Sequence, residues 1–295
     1  MPEETVGNLE KAAAVPEKGM GAPIRRAAPM AGRMLSRLVK NLSLYNTRAV
    51  LPDENRPMVI LAAHGTLVAP LPAMAAITRL YAENGLGDLV AGFYPHPSIL
   101  MIPGVRQFFE FLGAPTRAYD VDTLVRLMKE GKIHVAGTAP EAVNCNFTWD
   151  EYVAPLKNAG MLEVAILTDA TVCLMAHLGG DAWAWRLRLP FGLTVPMTNG
   201  LSGVNVQFPP LTRIRDYGVL FRRFRPGVTA AKLCGVSRRE RKMLLRVELE
   251  KIRNQLLLMT DELAARMGRE WEHSPAGATS SARGSSPGPW SCREA

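Results

Sequence analysis

The residues of this 295-residue chain best suited to chemistry begin at His64-Gly65, directly after the apolar run PMVILAA (57–63). A short apolar run of this kind reads as a buried strand, which sets the imidazole at the strand's carboxyl end, where open α/β sheets place their ligands. An imidazole there suits a general base, because it exchanges a proton near neutral pH. The other histidines carry less. His96 sits between Pro95 and Pro97 in a loop, while His134 lies within a strand and His177 ends one, so both read as structural.

Two other chemistries fail on spacing. Gly200-Leu201-Ser202-Gly203 is one residue short of the Gly-x-Ser-x-Gly elbow of a serine hydrolase, and no acidic residue and histidine follow it in the required order. Gly85-Leu86-Gly87 lacks the third glycine of a dinucleotide fingerprint and precedes a strand rather than a helix.

The elements that must position His64 alternate apolar strands with amphipathic helices, the pattern of an α/β domain with a central, mostly parallel sheet. The spacing predicts strands at 57–63, 88–93, 132–136 and 171–177, with helices over 72–83, 104–112, 121–130 and 152–168. Asp120 and Gly131 supply the N-cap and the stop of the third of these helices. This domain spans 50–235. Before it, residues 23–48 read as a basic amphipathic helix, with Met30, Met34, Leu35, Leu38 and Leu42 at helical spacing, which either lies in a membrane interface or packs on the domain's own core. After it, Ser237 and Glu240 form a capping-box pattern that opens a long basic helix over 236–270. That helix docks on the core, pairs with a second copy to make a homodimer, or touches a membrane. Residues 1–22 and 274–295 have the composition of disordered ends.

A formal net charge of +8 calls for an anionic partner. The basic residues cluster between Arg25 and Arg48 and between Arg213 and Arg253, interleaved with Leu, Met and Val rather than with stacking aromatics. That favours an anionic membrane surface over nucleic acid. No apolar run approaches the roughly 20 residues of a spanning helix. Glu3 and Glu4 stand where a secretory signal would be basic, so the expectation is a peripheral protein on the cytoplasmic face of a membrane. Cys145, Cys173, Cys234 and Cys292 form no close pairs, which suggests neither a disulfide framework nor a metal site.

Three blocks follow one another in a familiar order: MVILAAHGTLVAP, then SILMIPGVRQFFEFLGAPTR, then DVDTLVRLMKEGKIHVAGTAPEAV. Taken together, residues 58–178 resemble the glycerolipid acyltransferase superfamily, which includes the lysophosphatidic acid acyltransferases and the type-2 diacylglycerol acyltransferase-like branch. The resemblance implies a glycerol-phosphate acyltransferase-like fold. It also implies an acyl-CoA or acyl-carrier-protein donor, used as substrate rather than cofactor, and a lipid acceptor whose hydroxyl is activated by His64, with Gly65 beside it. It sets Arg117 near the acceptor's head group, and backbone N–H groups of a turn at Gly137-Thr138 against a phosphate or thioester oxyanion.

The departures matter as much. Ala69 stands where the family's common form, His, four residues, then Asp, has its aspartate, and Ala136 and Ala139 replace charged residues of the third block. Glu141 matches the glutamate of the diacylglycerol branch and is the leading substitute carboxylate for orienting His64, ahead of Asp120 and Asp169. The missing charges favour a neutral acceptor. The alternative reading is a non-catalytic lipid-binding descendant of the same fold.

Overall fold

The computed structural model describes residues 23–53, 56–65, 69–94, 119–141, 153–188, 203–207 and 212–269, with isolated positions between 104 and 116. In chain order the elements are α1 (Ile24–Leu38), β1 (Val39–Tyr45), β2 (Met58–Ala62), α2 (Leu71–Glu83), β3 (Ala91–Phe93), α3 (Val121–Lys129) and β4 (Val135–Thr138). They continue with α4 (Gly160–Leu167), β5 (Thr171–Leu178), β6 (Ala184–Arg188), β7 (Gly203–Gln207), β8 (Ile214–Phe224), α5 (Ala230–Cys234) and α6 (Arg238–Arg266).

Six strands form one sheet in the order β1-β8-β5-β2-β4-β3, parallel at every junction except β5 with β8. The expected α/β architecture with a mostly parallel sheet is therefore what the chain adopts. β2 lies between β4 and β5 and is buried along its whole length, which explains why its sequence is a continuous apolar run rather than an alternating one. One face of the sheet carries Val59, Leu61, Leu174, Ala176 and Leu220 and is covered by α3, α4 and α6. The other carries Met58, Ile60, Cys173, Met175 and Phe221 and packs with α2 residues Ala73 and Ile77 and with Ile24 of α1. β6 and β7 form a separate antiparallel pair.

The largest correction concerns the basic segment before the domain. A helix through residue 48 does not form; α1 stops at Leu38 and the chain becomes β1, parallel to β8 with Val39 opposite Ile214 and Tyr45 opposite Leu220. Leu38, Leu42 and Leu44 satisfy both a helical and a two-residue period, and the partner strand that decides between them lies some 175 residues away, as the Asn41 to Asp216 side-chain bond at 2.8 Å illustrates. α1 itself packs on the domain, burying Ala31 and Leu35 beside Ala75 and Ala76 of α2 and Ile24 in the cluster with Ala73 and Ile77, and leaving Arg26, Arg33 and Arg37 exposed.

The helix expected over 152–168 is shorter, because residues 153–159 run as irregular chain that donates from Lys157 and Asn158 N–H to the Pro140 carbonyl at 2.9 and 3.0 Å. Asp120 caps α3 as expected, accepting the Thr123 N–H at 2.7 Å. The Ser237-Glu240 capping box opens α6, which docks on the core through Leu245, Leu249, Ile252, Leu256, Met259 and Leu263. No helix of the described residues is long and apolar enough to cross a membrane. The expected disordered ends and the helix over 104–112 lie outside the described residues, apart from a few isolated positions in the latter.

Candidate active site

Parallel pairing of β2 with β4 sets Leu61 opposite Thr138. His64 and Glu141 each lie three residues beyond that pair, so the sheet delivers both to one level at its carboxyl edge. There Glu141 Oε1 accepts the His64 backbone N–H at 2.7 Å, and its Oε2 accepts the Ala154 N–H at 3.0 Å. The carboxyl thus ties together the ends of two segments, β2 and the irregular chain before α4. Its hold on His64 is through the backbone, so what it fixes is the position from which the imidazole springs. The expectation that Glu141 would act as the orienting carboxylate is refined accordingly.

Glu141 is fully buried, and burial pushes its pKa up to about 8, against the pull of the two N–H donors and of Arg253. Arg253 comes from α6 and donates to the Val153 carbonyl at 3.4 Å. The C-terminal helix therefore reaches the site. Nothing in the sequence marks that contact, since Arg253 is one of many basic residues on α6.

His177 lies at the end of β5, next to its final residue Leu178, while His64 stands two residues past the end of β2, the neighbouring strand. His177 is fully buried, hydrogen-bonds the backbone at Ala63 and His64, and has its pKa lowered to about 3, first by burial and then by the neighbouring His64. Its ring stacks on Tyr217 of β8, with centroids 5.7 Å apart and planes 13° from parallel. The Tyr217 hydroxyl donates to the Ala69 carbonyl at 2.7 Å. The expectation that His177 is structural misses its tie to His64; the signal that sets it apart is its place near the end of β5, the strand adjacent to β2, which leads into His64. Tyr217 has no such signal, because nothing local in the sequence marks β8 as a partner of β5.

Other expected site residues divide. Gly65 is buried at φ 59°, a left-handed conformation that suits glycine immediately after His64. Gly137 and Thr138 are not a turn: both lie inside β4, paired with Ile60 and Leu61 of β2, and Gly137 also with Phe93 of β3. Glycine is needed at 137 because a Cβ there would stand 2.9 Å from the Phe93 ring. The turn comes later, at Pro140-Glu141. Asp169 pairs with Arg56 at the opposite, amino end of β5, and Asp120 is occupied as a helix cap, so neither is placed to orient His64. His134 accepts the Val90 N–H at 3.1 Å and is structural, as read. Arg117, His96 and Ser202 lie outside the described residues.

Beneath α1 lies an apolar cavity of about 100 Å³, lined by Met30, Met34, Leu71, Met74, Ile60 and Phe93 among others. Ile60 precedes His64 by four residues on β2, and Leu71 opens the helix that follows the His64 loop. The cavity and the imidazole are thus served by the same strand. Among the described residues no cluster of His, Cys, Asp or Glu is arranged to hold a metal ion.

No protein-family model matches the chain, and no curated protein matches it in sequence. Among solved structures, the chain is similar to the 1-acyl-sn-glycerophosphate (LPA) acyltransferase PlsC from Thermotoga maritima, at 16% identity and a TM-score of 0.46, over 82% of this chain and 81% of that one.

Proposed function

We propose that this protein is a peripheral acyltransferase that moves a fatty acyl group from an acyl-CoA or acyl-carrier-protein thioester to the hydroxyl of a lipid acceptor. The observation that carries the reading is His64 at the carboxyl end of the central strand, its backbone held by the buried Glu141 of the adjoining strand. The two positions that match the family resemblance most closely in type thus meet in space, although they are 77 residues apart.

The chemistry follows from the imidazole. His64 accepts the proton of the acceptor hydroxyl as its oxygen attacks the thioester carbon. A C–O bond forms, the tetrahedral intermediate collapses, the C–S bond breaks, and the leaving thiolate takes the proton back from the imidazolium. General base catalysis of this kind contributes roughly 10²–10⁴-fold. The apolar cavity lined by Met30, Met34 and Met74 suits the methylenes of an acyl chain, since methionine side chains adapt to a flexible ligand. The exposed Arg26, Arg33, Arg37 and Lys40 suit attachment to an anionic membrane surface.

The test is to offer purified protein labelled acyl-CoA with a panel of mono- and diacylglycerols, lysophospholipids and long-chain alcohols. Turnover with any of them supports the assignment and names the acceptor class. Absence of turnover across the panel, with lipid still bound, replaces it with the non-catalytic lipid-binding reading.

A further inference from the structure

We propose that His177 and Tyr217 are positioning residues for His64, a stacked pair that pins both ends of the loop carrying the base. His177 holds one end through the backbone at Ala63 and His64, and Tyr217 holds the other through the Ala69 carbonyl at 2.7 Å. The stacking, with centroids 5.7 Å apart, joins the two anchors to each other across the β5–β8 pairing.

The surroundings are built for that contact. Ala69 is fully buried, and a side chain at Gly180, just past β5, would collide with it. Gly179 adopts φ 110°, and a Cβ there would meet the Asp216 carbonyl at 2.5 Å and Tyr217 at 3.2 Å. The Gly179-Gly180 pair thus removes the side chains that would hold the end of β5 away from Tyr217 and Ala69. Burial and the neighbouring His64 hold the His177 pKa well below its ordinary value, so the ring favours its neutral form and offers the His64 backbone a donor without adding a charge. Neither residue is placed to touch the reacting atoms by these contacts; they act through the backbone that carries His64.

This inference rests on His64 being the base, and its test separates the two. Tyr217→Phe keeps ring and volume and removes only the hydroxyl, and His177→Phe keeps the stack and removes the N–H donor. Each is compared with Leu245→Ala, a core truncation on α6, well below the melting midpoint of every variant. The expected result for Tyr217→Phe and His177→Phe is a fall in kcat of about tenfold with KM within about twofold, the effect of losing one buried hydrogen bond that aligns the base. Leu245→Ala lowers the melting temperature and leaves kcat unchanged. In parallel, NMR of histidine-labelled protein, with the His64 signal assigned by its loss in His64→Ala, should show that signal broadened or doubled in Tyr217→Phe and sharp in Leu245→Ala. Unchanged kcat, or a His64 signal as sharp as in the wild type, overturns the proposal. Because the NMR readout needs no turnover, a wild type without acyl transfer would sink the enzymatic reading while this one is still decided.

Discussion

Glu141 accepts the backbone N–H of His64 at 2.7 Å from a wholly buried position, and its second oxygen is taken by Ala154 at 3.0 Å. Both acceptors of the carboxyl are therefore spent on backbone. Glutamine offers only one oxygen where two N–H groups converge, so Glu141→Gln leaves a buried donor unsatisfied, at a cost of about 1–3 kcal/mol. Chemical denaturation should show that loss, and turnover should fall with it.

The same carboxyl gives a pH signature. Its pKa in the folded protein, about 8, lies above its ordinary value of 4.5, so its contribution to stability is fully present below pH 4.5 and is lost as pH rises through 8. The wild type should lose melting temperature across that window more steeply than Glu141→Gln, which has no proton to lose there. Parallel curves for the two proteins would contradict the raised pKa of this carboxyl.

His177 gives the opposite sign. Its pKa falls from 6.5 to about 3, so its contribution is present above pH 6.5 and is lost as acid drives the pH down through 3. At about 1.4 kcal/mol per unit, the shift corresponds to about 5 kcal/mol between those limits. His177→Phe should flatten the acid limb of the stability curve, measured by urea unfolding from pH 7 to pH 3.

Introducing an aspartate at position 69, as in the acyltransferase pattern the sequence resembles, should not help. Ala69 is fully buried with its Cβ facing Gly180, so Ala69→Asp would bury a carboxylate and overfill the contact that Tyr217 depends on. The expected outcome is a loss of about 3 kcal/mol or more, with turnover below that of the wild type, read by thermal unfolding and acyl transfer.

Gly137→Ala should cost about 1–3 kcal/mol, because the new methyl meets the Phe93 ring at 2.9 Å and β4 is held between two strands. The second change Phe93→Leu should recover part of that loss. A double-mutant cycle checks it, and strict additivity would mean that the ring is not what excludes a side chain there.

The parts of this structure that could be read from sequence are those governed by local rules. β2 announced itself by a buried apolar run, α3 by Asp120 and Gly131, and α6 by its capping box. The position of His64 followed from β2 alone. What could not be read depends on distant partners: β1 is a strand because β8 pairs with it, and Tyr217 matters because β8 runs antiparallel to β5. The role given to Gly137-Thr138 failed for a related reason, since the sequence shows where a strand is but not how far its neighbours extend the pairing. Arg253 stood among too many other basic residues of α6 to be singled out.

Whether His64 is the base of an acyl transfer is decided by comparing wild type with His64→Ala for transfer from labelled acyl-CoA to the best acceptor, alongside lipid binding by both. The expected outcome is a mutant that binds acyl donor and acceptor as the wild type does and loses turnover by about 10²-fold or more. Turnover that survives in His64→Ala would rule out His64 as the base.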